Sequence, residues 1–114
     1  MPSPEDLVQA QLEAYNRQDI DAFLAVYHPG CEFVRWGGQV ELRGHAEWRP
    51  RYLALWAGSP RLQARILNRI VLGRHVIDLE RLDNAADGPR RPVVVMYEVE
   101  RDLIRRVFVL TEAA

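Results

Sequence analysis

Apolar residues recur at helical spacing near the start of the chain and at strand spacing over its second half. Val8, Leu12 and Tyr15 stand at i, i+4 and i+7, one apolar stripe that runs to about Asn16. Ser3-Pro4-Glu5-Asp6 opens this helix. Ser3 can cap it, Pro4 suits the first turn, and Asp6 completes a capping box at the positive end of the dipole. Asp19 can cap a second helix that turns Ile20, Phe23, Leu24 and Tyr27 inward and stops at Pro29-Gly30. From Cys31 the period changes to two. Residues 31–36 and 39–42 flank Gly37-Gly38, a dipeptide suited to the positive φ angles of a tight hairpin. A third helix follows with Trp48, Tyr52, Leu55 and Trp56 on one face. Pro50 either falls in its first turn, with a start near Arg49, or kinks it.

After Ser59-Pro60 the pattern is β throughout. Strands at 62–72 and 75–82 flank a turn at Gly73-Arg74, and strands at 93–100 and 103–110 flank Arg101-Asp102. Residues 83–92 are a polar loop, expected to be flexible. The order ααββαββββ contains no repeat and no second domain. No crossover helix separates the last four strands, which predicts antiparallel pairing and an α+β fold.

Composition narrows the class without choosing a function. Hydrophobic residues make up 48% and charged residues 27% of 114 residues, the mix and size of one globular domain. The formal net charge of −1, with no basic face, argues against nucleic acid and anionic membrane as partners. The longest apolar run, Val93 to Tyr97, is far too short to span a bilayer. The N-terminal residues lack the pattern of a signal peptide. A single cysteine, Cys31, excludes an internal disulfide framework; it reads as a small buried hydrophobe, and a cytoplasmic location is expected. His28, His45 and His75 have no ligand-like spacing, and no phosphate-cradling glycine loop or dinucleotide fingerprint occurs, so neither metal nor cofactor is expected.

The order of elements, with the stretches 14–23 (AYNRQDIDAF), 68–73 (NRIVLG), 76–78 (VID) and 96–99 (MYEV), resembles SnoaL-like proteins. These belong to the cone-shaped superfamily of nuclear transport factor two, ketosteroid isomerase and scytalone dehydratase. The resemblance spans residues 5–111. It implies three helices packed on a strongly curved, mainly antiparallel sheet, a deep pocket against the concave face, and frequently a homodimer, here through the outer sheet face. The superfamily hosts isomerases, cyclases, dehydratases, epoxide hydrolases and non-catalytic binders, so the resemblance does not select an activity.

Position by position, the resemblance puts Gln11 where ketosteroid isomerases carry an oxyanion-binding tyrosine. Arg35 stands where they carry the general-base aspartate, and Val95 where they carry a protonated aspartate. Leu79 stands where many SnoaL-like proteins have a histidine. Proton abstraction beside a carbonyl needs a base of tuned pKa and a donor for the oxyanion, and an arginine cannot be that base. The isomerase mechanism in its usual form is therefore not expected.

The remaining candidates follow from residue type. Arg35 shares the expected inward face with Phe33 and can bind a carboxylate or enolate, orient a water, snorkel outward or pair with a helix carboxylate. Tyr15, Tyr52 and Tyr97 can present hydroxyls to a ligand or pack in the core. Trp36, Trp48 and Trp56 suit the wall of an aromatic cavity or the core, and Trp56 is taken as ligand-binding. Asn68 interrupts the apolar positions Ile66, Ile70 and Leu72, and either bonds backbone at a bulge or points at a ligand. Asp78 and Glu80 share one strand face opposite Ile77 and Leu79. Burying two carboxylates without paired cations is costly, so the pair is expected to face outward. In the inverted register they would form an acidic pair near Arg35 or Arg69, an arrangement like that of epoxide hydrolases.

The reading is a pocket protein for a small, largely apolar molecule (steroid-, polyketide- or terpenoid-like). Its alternatives are a diverged isomerase, cyclase, dehydratase or hydrolase using Arg35, Tyr15 and Tyr52, and a non-catalytic dimeric interaction module.

Overall fold

A computed structural model describes residues 2–111. The elements run α1 (Pro4–Arg17), α2 (Ile20–Ala25), β1 (Tyr27–Arg35), β2 (Val40–Arg43), α3 (His45–Gly58), β3 (Gln63–Leu72), β4 (His75–Asp83), β5 (Val93–Glu100) and β6 (Leu103–Thr111). The capping box at the start of α1 is complete: the Asp6 N–H donates to Ser3 Oγ, and the Ser3 N–H donates to the Asp6 carboxylate, each at 3.1 Å. Asp19 caps α2 through the Ala22 N–H.

Two boundaries differ from the sequence expectation. Helix α2 ends at Ala25, so Tyr27 and Pro29-Gly30 lie in β1 rather than at a helix end. The cause is tertiary. Strand β6 takes up this stretch as a parallel partner, with the Ile104 N–H donating to the Val26 carbonyl and Tyr27 opposite Ile104. Helix α3 starts at His45, with Pro50 inside it rather than in its first turn. Glu47 accepts the Arg43 N–H at 2.8 Å and Trp48 is fully buried, which holds the turn before the proline. Pro50 is exposed, so its missing donor leaves no polar group buried.

The six strands form one mixed sheet in the order β2-β1-β6-β5-β4-β3, antiparallel except for the β1–β6 pair. At the β1–β2 hairpin Gly37 and Gly38 have φ of 108° and 93°, backbone that a side chain would strain. Register shifts interrupt the ladders between Tyr27 and Glu32, Phe33 and Val34, Ile66 and Asn68, and Glu98 and Val99. Such bulges bend strands and raise their twist, which wraps the sheet around the helices in a cone. Asn68 lies at one of them and its Oδ1 accepts the Arg69 N–H at 2.9 Å, the backbone role of the two foreseen. That bulge also divides Ile66, opposite Glu80, from Ile70 and Leu72, which stand opposite Ile77 and His75.

The core between helices and sheet is aromatic. Phe23 lies 4.8 Å from Tyr52 and 5.0 Å from Tyr27, ring centre to ring centre, and Trp48 stacks on Tyr52 at 5.5 Å.

The register of β4 overturns the expected direction of its carboxylates. Val76, Asp78 and Glu80 stand opposite Tyr97, Val95 and Val93 on the concave side, while Ile77 and Leu79 face outward beside Met96 and Val94. Asp78 is 0% exposed. Its burial is offset by Arg69, whose Nε donates to Oδ1 at 2.7 Å and whose second nitrogen donates to Oδ2 at 3.0 Å. The cation stands directly opposite on β3, and it is Arg69, one of the two arginines that the inverted register would bring near. Among the described residues no helix is long and apolar enough to cross a membrane.

Candidate functional site

A cavity of about 380 Å³ opens between the helices and the concave face of the sheet. Helix α1 contributes Gln11 and Tyr15, one turn apart on its buried face; α3 contributes Tyr52 and Leu55; the walls are completed by Phe23, Phe33, Val95 and Val107. Alternation along the strands sends every second residue into this space, so β5 supplies Val93, Val95 and Tyr97 from one face.

Hydrogen bonding ties part of the wall together. The Tyr27 hydroxyl donates to Gln11 Oε1 at 3.1 Å, and Gln11 Nε2 donates to the Tyr97 oxygen at 3.1 Å. The buried amide of Gln11 is thereby satisfied on both ends. Burial pushes the hydroxyls of Tyr15, Tyr27, Tyr52 and Tyr97 well above the ordinary tyrosine range, so they are neutral donors and not phenolates. The Tyr15 and Tyr52 hydroxyls form no hydrogen bond with any described residue.

Two carboxylates on β4 have opposite situations. Asp78 lies behind the wall in its bidentate pair with Arg69, which also reaches Gln9 on α1 at 2.9 Å. Glu80, two residues on, lines the cavity, and its carboxyl has no hydrogen bond or ion pair with any described residue. Loss of solvation, then the nearby charge of Asp78, raises the Glu80 carboxyl from 4.5 to about 7, against the opposing pull of Arg69.

Arginines surround the opening. Arg35 is paired with Glu41 across the β1–β2 hairpin, Arg90 is held by Asp87 at 2.9 Å, and Arg51 projects from α3. Cys31 is fully buried, and loss of solvation pushes its thiol up to about 12, so it is no nucleophile. No three histidine, cysteine or acidic residues among those described come together in a way that could hold a metal ion.

Of the residues singled out in the sequence, Gln11, Tyr15, Phe33, Arg35, Tyr52, Val95 and Tyr97 all line the cavity. Two do not. Trp56 is buried behind the wall, its ring 5.6 Å from Tyr15 and 5.8 Å from Phe23, because α3 turns that side toward α1 and α2. Leu79 points to the outer face, a consequence of the β4 register. Arg35 stands at the mouth with a strand carboxylate as its partner, not a helix carboxylate. Trp36, at 76% exposure, is neither wall nor core. Glu80, expected on the outer face and turned inward only in the inverted register, lines the cavity. The expectation that the β4 carboxylates face outward is thus corrected: Glu80 lines the hollow, as Glu41 does at its mouth, brought there by a register that also buries Val76.

A family model of the SnoaL-like domain matches residues 8–107. Among solved structures, an uncharacterized cystatin-fold protein from Novosphingobium aromaticivorans superposes with a TM-score of 0.87 at 26% identity, over 97% of this chain and 100% of that one. An NTF2-like protein of unknown function from Cytophaga hutchinsonii gives 0.81 at 14% identity, over 98% and 92%. TerC, co-crystallised with polyporic acid, gives 0.76 at 18% identity, over 96% and 91%. None of the curated proteins matches the chain. With the cone, the cavity and the family match in agreement, the chain belongs to the SnoaL-like domain family.

Proposed function

We propose that this protein binds a small, largely apolar molecule, of steroid, polyketide or terpenoid character, in the cavity beneath its helices. The observation that carries the reading is a hollow walled by aromatic and aliphatic side chains with two tyrosine hydroxyls, those of Tyr15 and Tyr52, unengaged by the described residues. Ligand sites commonly have this composition and run from roughly 300 to 1,000 Å³, so about 380 Å³ suits a molecule of a few fused rings. TerC, a protein of similar fold, was co-crystallised with polyporic acid, which supports a small-molecule occupant.

A thermal-shift screen of steroids, aromatic polyketides and terpenoids, read alongside native mass spectrometry, tests this. A ligand present at a hundredfold excess over its Kd adds about 2.7 kcal/mol to stability, roughly 10 °C or more in a domain of this size. Val95→Trp, which fills the cavity, should remove the shift. No shift with any compound, or shifts that survive Val95→Trp, would refute the reading.

A homodimer through the outer sheet face belongs to the same proposal. Leu72 and Ile70, at 71% and 56% exposure, continue across Leu79 to Leu110 as an apolar strip of a kind soluble monomers seldom leave bare. Sedimentation should show a dimer that Leu72→Glu with Leu79→Glu converts to monomer; a wild-type monomer at tens of micromolar would sink it.

A further inference from the structure

Glu80 is costly where it stands. Its carboxyl is withdrawn from water on a wall shared with Leu82, Val93 and Val95, and it has no hydrogen bond or ion pair with any described residue. Asp78, on the same strand face, has Arg69 to offset that cost. A carboxylate that the fold leaves without a cation can take one from a ligand.

The other charges around the hollow are already matched or lie in solvent. Arg35 is paired with Glu41 and Arg90 with Asp87, so these two arginines carry their own counter-ions. Arg51 is exposed, where water and salt screen it. Among the described residues of the wall, Glu80 is thus the one charged group both sheltered from water and unmatched. Around it stand the rings of Tyr15, Phe23, Tyr27, Phe33, Tyr52 and Tyr97. Its negative charge helps raise all four tyrosine hydroxyls, so carboxyl and rings act on one space.

We propose that the molecule held in this cavity is an apolar amine, protonated at nitrogen, whose cationic group pairs with Glu80 among the aromatic rings. The proposal rests on the small-molecule reading above and adds the ligand's charge. A protonated amine brings N–H donors and no acceptor. Glu80 can accept from them, and so can the oxygens of Tyr15 and Tyr52, which form no hydrogen bond with any described residue. Aromatic faces attract a cation through their quadrupole, which is why aromatic cages recur where proteins hold ammonium groups. The aliphatic part of the wall takes the hydrocarbon. An acidic ligand would set like charges side by side, and a neutral one would leave the carboxylate uncompensated.

The groups that face Glu80 are Tyr15 on α1, Tyr27 on β1, Tyr52 on α3, Tyr97 on β5 and the Asp78–Arg69 pair, with Arg35–Glu41, Arg51 and Arg90–Asp87 at the mouth. The tyrosines, raised by burial, stay neutral from pH 5 to 8. Glu80 itself, raised to about 7, must lose its proton before it can pair with a cation.

The test uses probes that share a skeleton and differ in charge. 1-Adamantylamine, 1-adamantanol and 1-adamantanecarboxylate form one set; 1-naphthylmethylamine, 1-naphthalenemethanol and 1-naphthaleneacetate form the other. Isothermal titration calorimetry at pH 7.5 should show an amine bound at least about tenfold tighter than its alcohol, and the carboxylate weakest. Glu80→Gln should weaken that amine at least about thirtyfold while leaving the alcohol within about threefold. An alcohol or a carboxylate that binds as tightly as its amine in both sets overturns the proposal and leaves the binding reading intact. So does an amine preference that survives Glu80→Gln, and so does failure of all six probes while compounds of the wider screen give shifts. Failure of every compound overturns both. A second measurement needs no variant: in the wild type, amine affinity should be level above pH 7.5 and fall about tenfold from pH 6 to pH 5, while alcohol affinity stays level. An amine profile as flat as the alcohol's overturns the pairing with Glu80.

Discussion

Replacing Glu80 by glutamine should change the pH dependence of stability more than stability itself. In the unfolded chain the carboxyl titrates near 4.5, and in the cavity it is raised to about 7. Below pH 4.5 it is protonated in both states and its contribution is fully present. As pH rises the unfolded chain releases the proton first while the folded protein keeps it, so the unfolded state gains free energy of ionisation that the native state lacks. Stability falls through this window and levels off above about 7. Each tenfold change in acidity is worth about 1.4 kcal/mol, so the loss reaches about 3 kcal/mol. Glu80→Gln removes the titration and keeps the shape. The difference between the two proteins should therefore grow by about 3 kcal/mol in favour of the variant from pH 4.5 to pH 8, whatever constant offset the buried amide adds. Urea unfolding, read by fluorescence of the buried Trp48 and Trp56, is the assay. With a slope of about 1–3 kcal/mol per molar, the midpoints should separate by about 1–3 M. A difference that stays constant across this pH range would refute the reasoning, because it would mean the carboxyl is solvated as well in the folded protein as in the unfolded chain.

Three further predictions use the same assay. Arg69→Ala leaves Asp78 buried without its cation and should cost about 3–5 kcal/mol. Arg43→Ala breaks a pair with Glu32 in which the arginine is 65% exposed and should cost under about 1 kcal/mol; equal losses at the two sites would contradict the buried pair. Replacing Arg101-Asp102, at φ of 51° and 66°, by Asn-Gly should raise stability by about 1–2 kcal/mol, and no gain would show that these residues pay no strain in the hairpin.

The sequence by itself determined which elements form and in what order. Ser3 and Asp6 mark the start of α1, Gly37-Gly38 marks a hairpin, and a period of two marks the strands, because capping, positive φ and alternation are local properties read within a few residues. The family resemblance put Gln11 and Val95 at the pocket and residue type made Tyr15 and Tyr97 candidates beside them; all four line the cavity. Local pattern also showed that Asp78 and Glu80 share a face, but alternation names two faces without saying which is concave. Only the tertiary structure decided that. Arg69, across a turn on the neighbouring strand, supplies the charge that lets Asp78 turn inward, and Glu80 follows because a strand carries residues two apart to the same side. The end of α2 and the hidden place of Trp56 were settled in the same way, by a distant strand and by helix packing, contacts between residues that the chain keeps far apart.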